Sequence, residues 1–315
     1  MKKILKLLLF LSLIFILVGN VVLYNHAYNF THFADKDLPR ITTQSVQHKS
    51  LEDRLKLAFF GVEIPKSRNK IQPQCSFKTI TIGQSPQLHS WWIPTKKTPK
   101  GVALLFHGYT SKKSNLLNNA YVLQRLGYHC LLVDFRAHGD SEGLETTIGY
   151  KEAEDVKRCY DYIKHRHSDL PIVLFGTSMG AVSILKAVHD YDLAPQKLII
   201  ECPFQDMRTA VEQRFKRFKL PNVILPDVLL FWGDWQTGIK SRTHSSVDYA
   251  QKVTIPTLLL YGAKDHRVDR AETEAVLGAL AGSKKLVVFE EAGHDHIIDD
   301  VTKEWTSAVW TFLEA

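Results

Sequence analysis

The chain has 315 residues, of which 45% are hydrophobic, so it is long enough to bury the core of one large α/β domain and is neither disordered nor fibrous. Its formal net charge of +7 is compatible with a nucleic-acid or anionic-membrane partner, but the basic residues are scattered and no nucleic-acid motif accompanies them. We therefore expect no nucleic-acid partner and interpret the charge as favouring solubility and anionic lipid surfaces. The four cysteines lack C-x-x-C or metal-ligand spacing, and Cys130 and Cys202 have the sequence context of buried core residues.

The amino-terminal segment, residues 1–24, has the composition of a membrane-targeting sequence. Three lysines precede an apolar run, and these are Lys2, Lys3 and Lys6. Counted through to Leu23, the run reaches the roughly 20 residues that a helix needs to cross a bilayer. Because lysines before a spanning helix stay in the cytoplasm, we expect the rest of the chain on the non-cytoplasmic side.

Two interpretations of this segment are possible, a signal peptide that is removed from a secreted protein and a signal anchor that is retained. Cleavage requires small residues at the last and third-last positions before the cleaved bond. Gly19 and Ala27 would serve as the last residue, but Leu17 and Asn25, two positions earlier, are not small. We favour the anchor. A chain beginning near Asp35 should then be soluble and still active.

Residues 25–70 predict a polar linker that contains one short helix. Ser50, with an acid three positions later, is typical of an N-cap, and Gly61 is typical of the residue after a helix end. We assign this helix no chemistry.

Residues 71–315 have the pattern of an α/β domain. Two strand-like runs on either side of residues 83–86 predict a β-hairpin. Further strands are predicted at 102–106, 130–135, 172–175, 198–202, 257–261 and 286–289, and helices at 116–126, 151–165, 181–189, 271–280 and 297–313. This alternation predicts a mostly parallel central sheet with helices on both faces.

A G-x-S-x-G pentapeptide around Ser178 links an apolar strand, residues 171–174, to a helical pattern, residues 181–188. In this context the pentapeptide predicts a nucleophile elbow. Gly176 and Gly180 allow the tight turn, which leaves the serine hydroxyl exposed. Ser178 is therefore the candidate catalytic nucleophile.

A serine nucleophile needs a base, and the base needs a group that orients it. Asp265 follows one predicted strand and His294 follows the next. Side chains at the carboxyl ends of parallel strands converge on one edge of the sheet, so both should lie near Ser178. Asp269 is the alternative acid and His296 the alternative base.

An oxyanion formed at Ser178 would need two hydrogen-bond donors. One expected donor is the backbone N–H of Met179, directly after the nucleophile. The other is the backbone N–H of Tyr109, in the loop after the strand at 102–106, where Gly108 permits a sharp turn. For His107 we expect a structural, hydrogen-bonding role.

Taken together, these motifs resemble the α/β-hydrolase family, and within it the branch of serine aminopeptidase-like and monoacylglycerol-lipase-like hydrolases. The resemblance covers about residues 77–313 and is carried by His107-Gly108, the stretch Asp134 to Ser141, the Ser178 elbow, the Asp265 segment and Gly293-His294. Ala137 stands where that branch has a glycine, which affects only local loop geometry. The resemblance implies an α/β-hydrolase fold in which the interruption at about residues 203–252, before the acid-bearing strand, is a cap.

The cap is open to two interpretations. Val211, Phe215 and Phe218 lie on one predicted helical face among basic residues, which would suit an acyl-chain wall and a surface for anionic lipid. It would equally suit an ordinary lid helix with a solvated charged face.

The sequence thus predicts a serine hydrolase that cleaves an ester, thioester or amide through an acyl-enzyme, most simply a carboxylesterase or lipase-like enzyme acting on a small or lipid-like acyl substrate. No cofactor or metal is implied. An aminopeptidase would need acidic cap residues in the pocket, for which Glu212, Asp227 and Asp234 are the candidates. An acyltransferase and a non-catalytic binding module are the remaining alternatives.

Overall fold

Ten β-strands are found among the residues that the computed structural model describes, which are 1–37, 49–217, 221–295 and 297–315. In chain order they are β1 (Phe33–Ala34), β2 (Ile64–Pro65), β3 (Lys78–Ile82), β4 (Leu88–Ile93), β5 (Gly101–Phe106), β6 (Tyr128–Val133), β7 (Ile172–Thr177), β8 (Lys197–Glu201), β9 (Thr257–Gly262) and β10 (Lys284–Phe289). Strands β1 and β2 pair with each other, and the other eight form the central sheet in the order β10-β9-β8-β7-β5-β6-β4-β3. Strand β4 is antiparallel to both β3 and β6, and the remaining pairs are parallel. The predicted hairpin and mostly parallel sheet are confirmed.

Helices cover both faces of this sheet. They are α1 (Lys2–Thr31), α2 (Leu51–Phe60), α3 (Leu117–Leu126), α4 (Glu152–Arg166), α5 (Met179–Tyr191), α6 (Met207–Arg217), α7 (Leu225–Thr237), α8 (Ser246–Ala250), α9 (Arg270–Ala279), α10 (Ile297–Asp300) and α11 (Thr302–Glu314). Because side chains alternate along a strand, β5 contributes to two cores. Leu104 and Phe106 pack with α4 and α5, whereas Ala103 and Leu105 pack with α3 and α11.

The short helix expected in the linker is α2, and its ends follow the predicted signals. The Ser50 side chain accepts a hydrogen bond from the backbone N–H of Asp53, and Gly61 follows the helix with φ of 81°. A positive φ of this size favours glycine, which explains the residue at the helix end.

Two helices differ from the expected bounds. Helix α1 does not end at Tyr24 but continues to Thr31, because the polar residues after Tyr24 are compatible with a helix and find partners on neighbouring elements. The single helix expected at 297–313 is divided at Val301, whose φ of −138° and ψ of 52° are not helical, into α10 and α11.

The segment between β8 and β9, which we predict to be the cap, contains α6, α7 and α8 among its described residues, which do not include Phe218. Helix α7 also packs along α1, so the amino-terminal helix contacts the cap directly. Helix α1 contains an 18-residue window of mean hydropathy 2.7, none of it buried, and is long and apolar enough to cross a membrane. A signal sequence has the same features.

Candidate active site

Ser178 lies in the sharp turn between β7 and α5. Its φ of 49° and ψ of −115° are sparsely populated for a residue with a side chain, and such strain is typical of functional turns. The turn is held by a 2.8 Å hydrogen bond from the Ser178 N–H to the carbonyl of Glu201. A Cβ at Gly176 would lie 2.6 Å from the carbonyl carbon of Gly180, so the turn closes only with glycine at that position.

The structure brings Ser178, Asp265 and His294 together. His294 Nε2 lies 3.1 Å from Ser178 Oγ, and His294 Nδ1 lies 2.6 Å from Asp265 Oδ2. If Nδ1–H donates to the carboxylate, Nε2 carries the lone pair that faces the serine hydroxyl. This is the arrangement that nucleophilic catalysis by serine requires.

The Asp265 carboxylate is stabilised in its charged form. Burial disfavours ionisation, but the hydrogen bond to His294 and the charge of that residue act in the opposite direction. The backbone N–H groups of Arg267 and Val268 also donate to Asp265 Oδ1, at 2.7 and 3.0 Å. Together they hold the pKa of Asp265 below its usual value, so the group is ionised at neutral pH.

The alternative acid has a different role. Asp269 caps the amino terminus of α9 in a capping box with Glu272, and its side chain accepts a hydrogen bond from Gln213. The contact with His294 is made by Asp265. The alternative base, His296, lies outside the described residues.

The two expected oxyanion donors lie on either side of the nucleophile. Met179 is the first residue of α5, where backbone N–H groups have no partner within the helix. Tyr109 follows Gly108, and a Cβ at Gly108 would lie 3.5 Å from the Cβ of Ser178, so this loop passes against the nucleophile. The role of both N–H groups remains a prediction.

Two buried histidines hold the loop that carries Tyr109. His107 Nε2 accepts from the Phe135 N–H at 3.2 Å, so its Nδ1–H donates to the Gly108 carbonyl at 2.8 Å. Burial lowers the pKa of His107 to about 4, which keeps the ring neutral. His138 was not singled out from the sequence, yet its Nε2 lies 3.3 Å from the N–H of Thr110. The only feature of the sequence that points to His138 is its position within the stretch Asp134 to Ser141.

Other residues of the stretch Asp134 to Ser141 form a polar cluster with Lys113. Asp134 is fully buried and makes an ion pair with the equally buried Lys113, which also pairs with Asp140. Ala137 has a φ of 64°, in the left-handed region that glycine adopts at little cost. The chain thus keeps the backbone conformation although the usual glycine is absent.

Two further groups lie close to the triad. Burial raises the pKa of Glu201 to about 7, although its side chain accepts a 2.6 Å hydrogen bond from Trp305. Burial and the Asp265 charge raise the pKa of the Cys202 thiol well above its usual value. Ligand atoms of Cys202, Asp265 and His294 lie within 4.8 Å of one another, but a protonated thiol and an engaged Asp–His pair suit a hydrogen-bonded site better than a metal site.

Helix α1 reaches the same loop from the other side. The Tyr109 hydroxyl donates a 2.7 Å hydrogen bond to the carbonyl of Phe30, and the Tyr109 ring packs on Phe30 and Phe33. The Arg214 guanidinium of the cap lies 4.5 Å from the centre of the Phe30 ring. The amino-terminal helix, the cap and the candidate oxyanion loop therefore meet at one place.

A nucleophile elbow on a mostly parallel sheet, with an acid and a histidine after the following strands, defines the α/β-hydrolase fold. Comparison with known families agrees, because the model described as "Serine aminopeptidase, S33" matches residues 97–246. The chain has the α/β-hydrolase fold, and over residues 97–246 it is similar to the serine aminopeptidase-like branch of that family.

Relatives of known sequence include YqkD of Bacillus subtilis, 27% identical over 66% of this chain and 68% of that protein. Another is the lysophosphatidylserine lipase ABHD12 of Gallus gallus, 31% identical over 56% of this chain and 46% of that protein. The chain thus matches about two thirds of the length of YqkD and less than half of the length of the lipase.

Solved structures share the fold. The esterase Pf2001 of Pyrococcus furiosus superimposes with a TM-score of 0.66 and 25% identity, over 79% of this chain and 96% of that one. A bacterial membrane phospholipase A, at 19% identity and a TM-score of 0.55, covers 76% of this chain and 86% of that one. The phospholipase likeness concerns the fold alone.

Proposed function

We propose that this chain is a serine hydrolase that cleaves carboxylic esters of lipid-like acyl groups through an acyl-enzyme. The observation that carries the proposal is the continuous hydrogen-bonded series from Asp265 through His294 to Ser178. The relatives named as esterase and lipase support the ester bond and the acyl substrate.

Each residue has a defined task in the proposed reaction. His294 Nε2 takes the Ser178 proton while Oγ attacks the ester carbonyl, and the N–H groups of Met179 and Tyr109 donate to the oxyanion. His294 then passes the proton to the departing alcohol, which leaves an acyl-Ser178 ester. Water, deprotonated by His294, attacks that ester and releases the acid. Asp265 keeps the imidazole in the required tautomer and stabilises its charged form.

The aminopeptidase alternative would require free acidic residues in the cap, and the three candidates are already paired. Glu212 pairs with Arg208, and Asp227 pairs with both Arg208 and Arg242. Asp234 Oδ1 accepts a 2.9 Å hydrogen bond from the backbone N–H of Ser241. Since each acid has a partner within the cap, none is available to hold the amine of a peptide substrate.

We further propose that α1 is retained as a membrane anchor, with the catalytic domain on the non-cytoplasmic side. Cleavage between Asn20 and Tyr28 would remove residues whose contacts with the folded domain are extensive. The Trp232 side chain donates to Asn20 Oδ1 at 3.2 Å, and the Gln236 side chain donates to the carbonyl of Tyr24 at 3.0 Å. A segment so well packed has the properties of a permanent part of the protein.

The first test combines covalent labelling with ester hydrolysis. Ser178→Ala should abolish labelling by a fluorophosphonate probe, and His294→Ala should lower kcat by several orders of magnitude, since nucleophile and base act as a unit. Asp265→Asn should lower kcat somewhat less, whereas Asp269→Asn should leave it near the wild-type value because asparagine also caps helices. An aminoacyl amide tested beside acyl esters separates the peptidase alternative. Labelling that survives Ser178→Ala would refute the proposal.

A further inference from the structure

The exposed apolar section of helix α1 ends near Val21. The bulky side chains from Ile4 to Val21 are exposed, a length of about 26 Å at 1.5 Å per residue, close to the ~30 Å of a bilayer core. Asn20 and Tyr24 lie close to the end of this section. The surface of a bilayer that surrounded α1 would therefore lie near these two residues. Any element that packs on α1 at Asn20 or Tyr24 would then lie at the bilayer surface.

The cap helix α7 is bound to α1 at the end of the exposed section. The Trp232 Nε1–H donates to Asn20 Oδ1 at 3.2 Å, and the Gln236 side chain donates to the Tyr24 carbonyl at 3.0 Å. The Tyr24 and Trp232 rings meet edge to face with centroids 5.3 Å apart. These contacts set the position of α7 relative to the apolar section of α1.

Helix α2 is fixed to the next turns of α1. Asn25 and Asn29 of α1 donate to the Phe59 and Phe60 carbonyls, at 3.3 and 2.7 Å. His26 lies 2.9 Å from the Ala58 carbonyl oxygen. The polar residues of α1 beyond Tyr24 thus bind the carboxyl-terminal end of α2.

Both flanking helices expose apolar residues that have the spacing of one helical face. On α7 these are Phe231 and Trp235, with exposed fractions of 58% and 73%. On α2 they are Leu51 and Leu55, with exposed fractions of 71% and 61%. We call these four residues the collar. Bulky apolar side chains left in water are unfavourable, and a pair on each helix beside α1 requires an explanation.

We propose that the collar contacts the bilayer surface, so that the enzyme takes its acyl substrate directly from the membrane; this rests on the proposed function. The bilayer is the occupant because the exposed section of α1, the proposed anchor, is long and apolar enough to lie in lipid, and the collar helices are bound to its end. Trp and Tyr are enriched at membrane interfaces, and residues of these types, Tyr24 on α1 and Trp232 and Trp235 on α7, occur where the two helices pack together.

The distance to the catalytic centre suits this role. Phe30, whose carbonyl binds the Tyr109 hydroxyl, lies ten residues beyond Asn20, or about 15 Å along the helix. The candidate oxyanion loop is therefore close to the inferred bilayer surface. A lipid that rises only partly from the bilayer would bring its ester bond to Ser178.

The test uses the full-length chain in vesicles with two substrates, a water-soluble short-chain ester and a long-chain ester dissolved in the same vesicles. The double variant Phe231→Ser, Trp235→Ser should keep kcat/KM for the soluble ester within about twofold and lose roughly tenfold or more on the vesicle-borne ester. Trp310→Ser is the matched control, since Trp310 is 51% exposed on α11 and outside the collar. Equal loss on both substrates, or no loss, would overturn the inference. A wild-type chain inactive on the soluble ester would instead refute the proposed function.

A second measurement reports membrane contact without activity. A fluorophore on Trp235→Cys should be quenched by spin-labelled lipid, whereas one on Trp310→Cys should not. Three native cysteines are buried, and Cys75→Ser removes the fourth, which is partly exposed. Position 235 unquenched in the vesicles would also overturn the inference.

Discussion

At the scale of single residues, the candidate site depends on backbone groups that approach one another without side chains between them. A Cβ at Gly180 would lie 2.3 Å from the Phe106 carbonyl oxygen, and one at Gly176 would lie 2.6 Å from the Gly180 backbone. Both distances are far shorter than normal contacts. Strands β5 and β7 can therefore hold the turn at Ser178 only because these positions are glycine.

Gly176→Ala should destabilise the protein by about 1–3 kcal/mol, as overpacking of backbone against backbone does, and should displace Ser178 enough to lose most esterase activity. Gly278→Ala in α9 is the control, because the added methyl group would point into open space, with no atom within 4 Å beyond the adjoining helix backbone, and alanine favours a helix by about 0.5–1 kcal/mol. Thermal unfolding and fluorophosphonate labelling measure both effects. Normal labelling of the Gly176 variant would show that the turn tolerates a side chain.

The sequence predicts residues whose role depends on local pattern. Ser178 and His294 each follow a strand at a recognisable turn, and the structure brings the serine and histidine together. The sequence favours Asp265 as the acid because it directly follows a strand, with Asp269 as the alternative, and the structure places the Asp265 carboxylate against His294. His138 was missed because its contact with Thr110 joins distant segments.

At the scale of elements, periodicity located the strands and helices but not all of their ends. A polar stretch after an apolar run resembles a linker, so residues 25–31 were not expected to continue α1. They are helical because Asn25 and Asn29 bind backbone carbonyls of α2. Such partners are set by tertiary packing, which the pattern of a single segment does not contain.

The junction between α1 and the oxyanion loop can be tested by removing one hydroxyl. Tyr109→Phe loses the hydrogen bond to the Phe30 carbonyl and leaves that partly buried oxygen without this donor, at a cost of about 1 kcal/mol. Because Tyr109 also supplies a proposed oxyanion donor, kcat on a soluble ester should fall several-fold while KM changes little.

The matched control for that substitution is Tyr121→Phe. The Tyr121 hydroxyl accepts a 2.8 Å hydrogen bond from the Gln74 N–H, away from the triad, so its loss should lower stability by a similar amount without changing kcat. A kcat that falls equally in both variants would indicate a general loss of stability and contradict a role of α1 in positioning the loop.

At the scale of the whole molecule, α1 has two parts with different surroundings. The section up to Val21 is exposed and apolar, whereas Ala27, Thr31 and the following Phe33 are buried against the catalytic domain. One continuous helix therefore joins the proposed membrane anchor to the candidate active site. The boundary between anchor and enzyme falls within α1, near Asn20, rather than after it.

The polarity of residues 25–70 predicts a soluble, active chain from Asp35, but these contacts lead us to expect otherwise. A chain beginning at Asp35 loses Phe33, whose burial alone contributes about 2 kcal/mol, and the hydrogen bond at Tyr109. A chain beginning at Asn20 keeps both and lacks only the exposed section. We expect the longer chain to retain wild-type kcat/KM on a soluble ester and the shorter one to unfold at a lower temperature with at least roughly tenfold lower activity.

Membrane fractionation completes this comparison of the two shortened chains. The full-length protein should remain with the membrane after high-salt and carbonate washing, because salt screens surface charges over about 10 Å but does not extract a spanning helix. The chain from Asn20 should be released. A mature form that begins between Asn20 and Tyr28 would identify a cleaved signal peptide. Equal unfolding temperatures and equal kcat/KM for the two shortened chains would show that residues 20–34 do not support the site.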